Sequence, residues 1–225
     1  MSRRAAALLG AAIHLTLLVL SLACMGYAMQ IPGDVPTVLF LILTTALVIG
    51  EILAQHPESS AASDRSPTDQ LLAATSALAL LAIYEVGLIE RAGQSLEMNL
   101  PPLAAGATLA ALGVALRCVA IRELGRYFVT EARVAPDQPL ITTGIYAHAR
   151  HPSETGLLAM GLGASILLQS FAALVLWVLV LLPSSLARIR REDRILERAF
   201  PGHHRHYMQR VAALLPSIAP ASTRR

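Results

Sequence analysis

No lysine occurs in the 225 residues, so all 18 basic side chains are arginine. Cysteine is almost missing, with only Cys24 and Cys118, and one tryptophan is present. Charged residues make up 15% of the chain and aromatic residues 4%. Two cysteines, each inside an apolar stretch, exclude a disulfide framework or a cysteine-based zinc site and read as small core residues. Scarce charge and scarce aromatics leave no basic stripe interleaved with stacking side chains, which argues against nucleic acid as a partner. Missing too are a GxGxxG after a strand, a Walker A loop, an HExxH helix and any Cys/His cluster with zinc spacing. Dinucleotide, P-loop and zinc-hydrolase chemistry have no place here, and no metal site is expected. A Ser–His–Asp arrangement cannot be assembled either.

What is there is hydrocarbon. Hydrophobic residues make up 55% of the chain and mean hydropathy is +0.57. The segments 5–29, 35–54, 70–90 and 102–121 each approach or exceed the ~20 apolar residues that span a bilayer. The first run is longer than the h-region of a signal peptide and reads as a span. The last run, 155–187, is too long for one span and is broken near its middle by Gln169-Ser170. It predicts a tight hairpin with arms Thr155–Leu168 and Phe171–Ala187, glycine in the first arm favouring close packing. A single long tilted helix is the alternative.

The hairpin gives an all-α membrane protein of about six spans with both termini on one side. Arg3, Arg4, Arg65, Arg122, Arg126, Arg133, Arg150 and the arginines from Arg188 to Arg210 then share that side, and Arg91 alone faces the other. The positive-inside rule makes the arginine-rich side cytoplasmic. The net charge of +3 is explained by contacts with anionic lipid headgroups. The arginine- and alanine-rich, lysine-free composition points to a GC-rich bacterial genome and so to a bacterial inner membrane. Residues 1–121 form four N-terminal spans, 122–218 a core of connector, hairpin and C-terminal helices (188–211), and 219–225 a tail. The loop 55–69 reads as a connector, His14 as bonded to a neighbouring helix, and Glu51 and Glu85 as snorkelling near span ends.

Two polar blocks flank the hairpin. One is Gly144–Gly156, GIYAHARHPSETG, and the other is Arg188-Ile189-Arg190-Arg191-Glu192-Asp193. Polar chemistry at a membrane boundary is costly unless it serves a site. Thr142-Thr143-Gly144 and Asp137-Gln138-Pro139 are turn signals, and Pro152 caps or kinks the start of the next helix. Arg188 and Glu192, four apart, lie within reach on one helix face. The blander reading of such a pair is a surface salt bridge worth little, and of His203, His204 and His206 a polar tail. Pro201-Gly202 breaks the helix.

The pattern Leu140-Ile141-Thr142-Thr143-Gly144-Ile145-Tyr146, Arg150-His151-Pro152-Ser153, Gly156, an apolar hairpin, Arg188, Glu192-Asp193, Leu196, Phe200 and Tyr207 resembles the isoprenylcysteine carboxyl methyltransferase family. That family is related to membrane phospholipid methyltransferases, and this chain is most similar to its shorter prokaryotic members. The resemblance covers roughly 122–218 and includes Leu124-Gly125-Arg126-Tyr127-Phe128. It implies a methyltransferase using S-adenosyl-L-methionine, with a cytoplasmic cofactor site built from the 122–154 connector and a C-terminal amphipathic helix. By that similarity Gln138, Pro139, Leu140, Ile141, Tyr146, His151, Pro152, Ser153, Glu154 and Glu192 line the cofactor pocket. Glu131 falls near another family contact, and Arg188 matches the substrate-orienting arginine.

The implied reaction is carboxyl O-methylation of an S-prenylated cysteine, a lipophilic or prenylated substrate arriving from the bilayer. Such a carboxylate is ionised near pH 7 and needs no strong base. Arg188 can hold it in its guanidinium fork. The chain departs from the family at Glu154, where an aromatic residue is usual, at Pro201-Gly202, and at His204. Glu154 as a base would suit another lipophilic acceptor, such as a phenolic or isoprenoid hydroxyl, a thiol or a phospholipid amine. A scaffold or transporter is the remote alternative, and the paired broken helices of a transporter are not seen.

Overall fold

The computed structural model describes residues 35–54, 67–92, 99–128, 134 and 137–214. The expected first span at 5–29 with His14 and Cys24, most of the loop 55–69, the side chain of Glu51, Glu131, Arg133 and the tail 219–225 lie outside the described residues. Among those described, every regular element is helical. The helices are α1 (Val35–Ala54), α2 (Pro67–Ala92), α3 (Leu100–Leu124) and α4 (Pro152–Leu167). They are followed by α5, continuous over Phe171–Ala199, and α6 (His203–Arg210). Two of the helical stretches, Leu100–Tyr127 and Phe171–Ala199, are long and apolar enough to cross a membrane.

Local sequence sets the boundaries. Proline stands in the first turn of both α3 and α4, where its missing N–H has no intrahelical role. Gly125, at φ +54°, ends α3 and is followed by a 3-10 turn, Gly125–Tyr127. The helix therefore runs past the expected boundary at 121 before the connector begins. After α4 the chain reverses through Leu168, Gln169 (φ +53°) and Ser170, so 155–187 is two arms and not one long helix. Ser170 Oγ accepts from the Ala173 amide at 3.0 Å, capping α5. Glu90 of α2 takes the Ser170 hydroxyl at 2.5 Å and the Ala172 amide at 3.0 Å. The arms are tied by the Trp177 indole, which donates to Leu158 O at 2.8 Å.

The second arm does not end at 187. It widens to π geometry over Trp177–Leu181 just before Pro183, which accommodates a ring that would clash with the regular ladder. It then runs unbroken through Arg188 to Ala199. A separate helix beginning at 188 is therefore corrected: the charged block is the far end of the second arm, and the break comes at Phe200–Gly202.

The closest packing is between α3 and α4. A Cβ at Gly156 would sit 2.6 Å from Gly113 O, and one at Gly163 2.5 Å from the Ala110 amide nitrogen. Gly106 faces Leu167 just as tightly. Small residues let the two backbones touch, the usual means of helix association in lipid. Around this pair Phe40, Ile83, Tyr84, Met160, Leu167, Leu168 and Leu181 form the buried core, with Phe40 edge-on to Tyr84 at 4.9 Å. Outward-facing Ile42, Leu71, Leu78, Leu112, Phe171 and Leu179 are more than half exposed. A helix bundle that is apolar outside as well as inside suits a hydrocarbon surrounding.

Candidate active site

Because α4 and α5 are antiparallel, the segment before α4 and the charged end of α5 lie at the same end of the bundle. The segment is pinned from three sides. Gly144 adopts φ +58°, with no room for a Cβ beside the Glu123 carboxylate, and Glu123 accepts the Ile145 amide at 2.9 Å to cap the 3-10 turn Gly144–Ala147. Tyr146 is buried, donates to Ala120 O at 3.2 Å, and its carbonyl accepts the Tyr207 hydroxyl. The stretch 211–214 runs alongside. Its carbonyls at Ala212 and Ala213 take the amides of Arg150 and His151, each at 2.9 Å, and Leu214 O takes the Thr155 hydroxyl at 2.7 Å.

Asp193 is the electrostatic hub. Its Oδ1 receives Arg150 at 2.6 Å, His151 Nε2 at 3.0 Å and His204 Nε2 at 3.1 Å. The other ring nitrogen of His151 faces Glu192 Oε2 at 3.5 Å. Burial pulls the His151 pKa down, but hydrogen bonds to Asp193 and Glu192 outweigh it and hold the ring up at about 9, charged at neutral pH. Burial pushes Asp193 up, yet His151 and Arg150 hold it down at about 2. Glu192 is likewise lowered by His151 and Arg188 against the effect of burial. Burial raises both Tyr146 and Tyr207, whose phenols stay protonated.

Between these parts lies a pocket that opens to solvent. Its apolar side is Leu124, Phe128, Pro139, Leu140, Ile141 and Leu196, with Tyr127, Tyr146 and Tyr207. Its polar side is Gln138, Arg150, His151, Ser153, Glu154, Arg188, Glu192 and His204. Of the ten residues that the resemblance assigns to the cofactor pocket, nine line it; Pro152 does not and is buried as the first residue of α4.

Two readings need correction, and one residue was missed. Arg188 pairs with Glu154 across the helices, Nη1 to Oε1 at 3.2 Å, and not with Glu192 on its own helix, whose partner is His151. His204 is fully buried against Asp193, whereas His203 and His206 are exposed; only those two behave as a polar tail. Arg117, within the expected span 102–121, drew no notice in the sequence. It is buried and donates to Ser153 O at 3.2 Å and Ser153 Oγ at 3.0 Å, fixing the start of α4. An arginine inside an apolar run was the available clue.

Residues 106–198, which hold α4, the charged end of α5 and most of this pocket, match the isoprenylcysteine carboxyl methyltransferase (ICMT) family model. This segment of the chain resembles that family. A protein-S-isoprenylcysteine O-methyltransferase of Schizosaccharomyces pombe is 34% identical over 109 residues, 48% of this chain and 46% of the relative. One from Saccharomyces cerevisiae is 30% identical over 115 residues, 50% of this chain and 48% of that one. The chain thus spans about half the length of these relatives. The solved structure of the eukaryotic intramembrane Ras methyltransferase ICMT superposes over 92% of this chain and 76% of the other, with TM-score 0.53 and 23% identity. That likeness is one of fold. The matched segment ends at 198, so α6, through His204 and Tyr207, completes the pocket from beyond it.

Proposed function

We propose that the chain is an integral-membrane methyltransferase that uses S-adenosyl-L-methionine to O-methylate the carboxylate of an S-prenylated cysteine. One observation carries the reading: the segment before α4 and the charged end of α5, both inside the family match, form two walls of one pocket. The donor set fits the cofactor. Leu140, Ile141 and Tyr146 offer an apolar and aromatic wall, Gln138, His151 and Ser153 offer hydrogen bonds, and Glu192 offers a carboxylate. When bound, the cofactor supplies a methyl group on a positively charged sulfur. The chain's own work is to orient and to exclude water. Arg188 would hold the acceptor's carboxylate; because that group is already ionised near pH 7, no side chain has to remove a proton, and alignment does most of the work.

The membrane reading extends this. Six spans with both termini on the cytoplasmic side would put the arginine-rich pocket end at the inner leaflet, and the lysine-free composition favours a bacterial inner membrane, although the relatives named above are eukaryotic. The acceptor's chain would then arrive laterally between helices. The deciding experiment is turnover of labelled S-adenosylmethionine by the purified protein with S-prenylated cysteines, phenolic lipids and phosphatidylethanolamine side by side. Methylation confined to the prenylated cysteines is expected. Methylation of the other lipids alone, or no saturable cofactor binding, would sink the proposal.

A further inference from the structure

A second recess lies between α6 and the segment that carries the Gly144–Ala147 turn. Thr142 and Ala147 form one side of it, and His203, His206, Tyr207 and Arg210 of α6 form the other. Tyr207 is the one residue it shares with the pocket described above. His203, His206 and Arg210 follow at spacings of three and four, which puts them on one face of the helix, and each is exposed. Arg205, the other arginine of α6, pairs with Glu197 at 3.3 Å. Among the described residues no side-chain hydrogen bond or ion pair engages His203, His206 or Arg210, and no carboxylate lines the recess. Glu123, beside the same turn, is taken up by the Ile145 amide.

Cationic donors that converge with no acid among them fit an anion. A basic helix face turned simply to water has no opposite wall; this one has, in Thr142 and Ala147. The Arg210 guanidinium offers a fork of N–H donors, the two imidazoles offer ring N–H groups and Thr142 offers a hydroxyl. Donors on both walls suit a tetrahedral phosphate, whose oxygens point several ways, better than a flat carboxylate.

We infer that this recess is a phosphate-binding site, filled by the phosphate of an anionic lipid headgroup or by phosphate free in solution. Arg210 supplies the fixed charge, and His203, His206 and Thr142 the further hydrogen bonds. Tyr207 keeps its hydroxyl on the Tyr146 carbonyl, so its polar group belongs to the first pocket and not to this one. The site stands apart from methyl transfer and holds whichever acceptor the chain takes.

The test is NMR of the full chain in dodecyl maltoside, with the ring signals of His203 and His206 as reporters. Inorganic phosphate is titrated in, and sodium chloride at matched ionic strength controls for screening. Phosphate is expected to move both rings saturably, and chloride is not. Arg210→Gln should weaken phosphate about tenfold, and His206→Gln, read through His203, should weaken it too. Arg205→Gln should leave the affinity in place; unchanged melting temperatures show that the variants are folded. A second arm places the chain in phosphatidylglycerol nanodiscs without free phosphate. Ring signals that match the phosphate-saturated ones identify the lipid headgroup as the source, and signals that stay as in detergent identify free phosphate. No saturable shift in either arm overturns the proposal. Equal weakening by Arg205→Gln and Arg210→Gln also overturns it, because general charge attraction then explains the binding.

Discussion

Asp193 Oδ1 collects three donors, and that crowding governs how the site responds to pH. His151 is raised from 6.5 to about 9, so its contribution to stability is complete below pH 6.5 and is lost as pH rises through 9. Asp193 is lowered from 3.8 to about 2, so its contribution is present above pH 3.8 and is lost as pH falls through 2. Thermal stability in detergent should therefore be highest between about pH 4 and 6.5 and decline toward pH 9. His151→Asn should flatten that alkaline decline, and a decline of unchanged size would show that another group causes it. In Asp193→Asn, NMR titration should find the His151 ring moved from about 9 back toward 6.5. The buried Arg188–Glu154 pair gives a separate test. Arg188→Ala leaves a buried carboxylate without its counter-ion and should cost ~3–5 kcal/mol, whereas replacing both residues by methionine should cost clearly less. Additive losses from chemical unfolding would mean that the pair is not coupled.

Legibility in the sequence stopped where contacts became long-range. His151, Glu154, Arg188 and Glu192 stood out because charge is rare and these residues flank an apolar run. Their pairing did not: Arg188 and Glu192, at i,i+4, looked like partners, yet the antiparallel arms bring Glu154 to Arg188 instead. The burial of His204 depends on α6 folding back onto α5, which no local pattern encodes. At the level of elements, the glycines of the first arm announced close packing, but their partners on α3 became visible only in the fold. Gly156→Ala and Gly163→Ala place a Cβ against backbone atoms at 2.6 and 2.5 Å and should each cost at least ~1–3 kcal/mol. Gly161→Ala meets side-chain atoms of Leu181 and Trp177 at 2.8 and 3.0 Å, which can shift, so its loss should be smaller. Unfolding in detergent ranks the three, and an equal loss at Gly161 would refute the backbone-contact account.

For the whole molecule, composition and hydropathy gave the class, and the turn at 168–170 places the two polar blocks at one end. Six crossings would put residues 122–154 and 188–214 on the cytoplasmic side, with the 168–170 turn opposite. Single cysteines introduced at Arg126 and at Gln169 should therefore react with an impermeant thiol reagent from opposite faces of sealed vesicles; labelling from one face would refute the topology. The stretch 211–214 has a consequence for the order in which the molecule is made. The backbone of Arg150 and His151 is held by carbonyls roughly sixty residues later in the chain. The helices can thus be synthesised and inserted while the pocket wall still lacks its lock. The helices therefore come first in synthesis, and the backbone lock on Arg150, His151 and Thr155 can close only once residue 214 has been made.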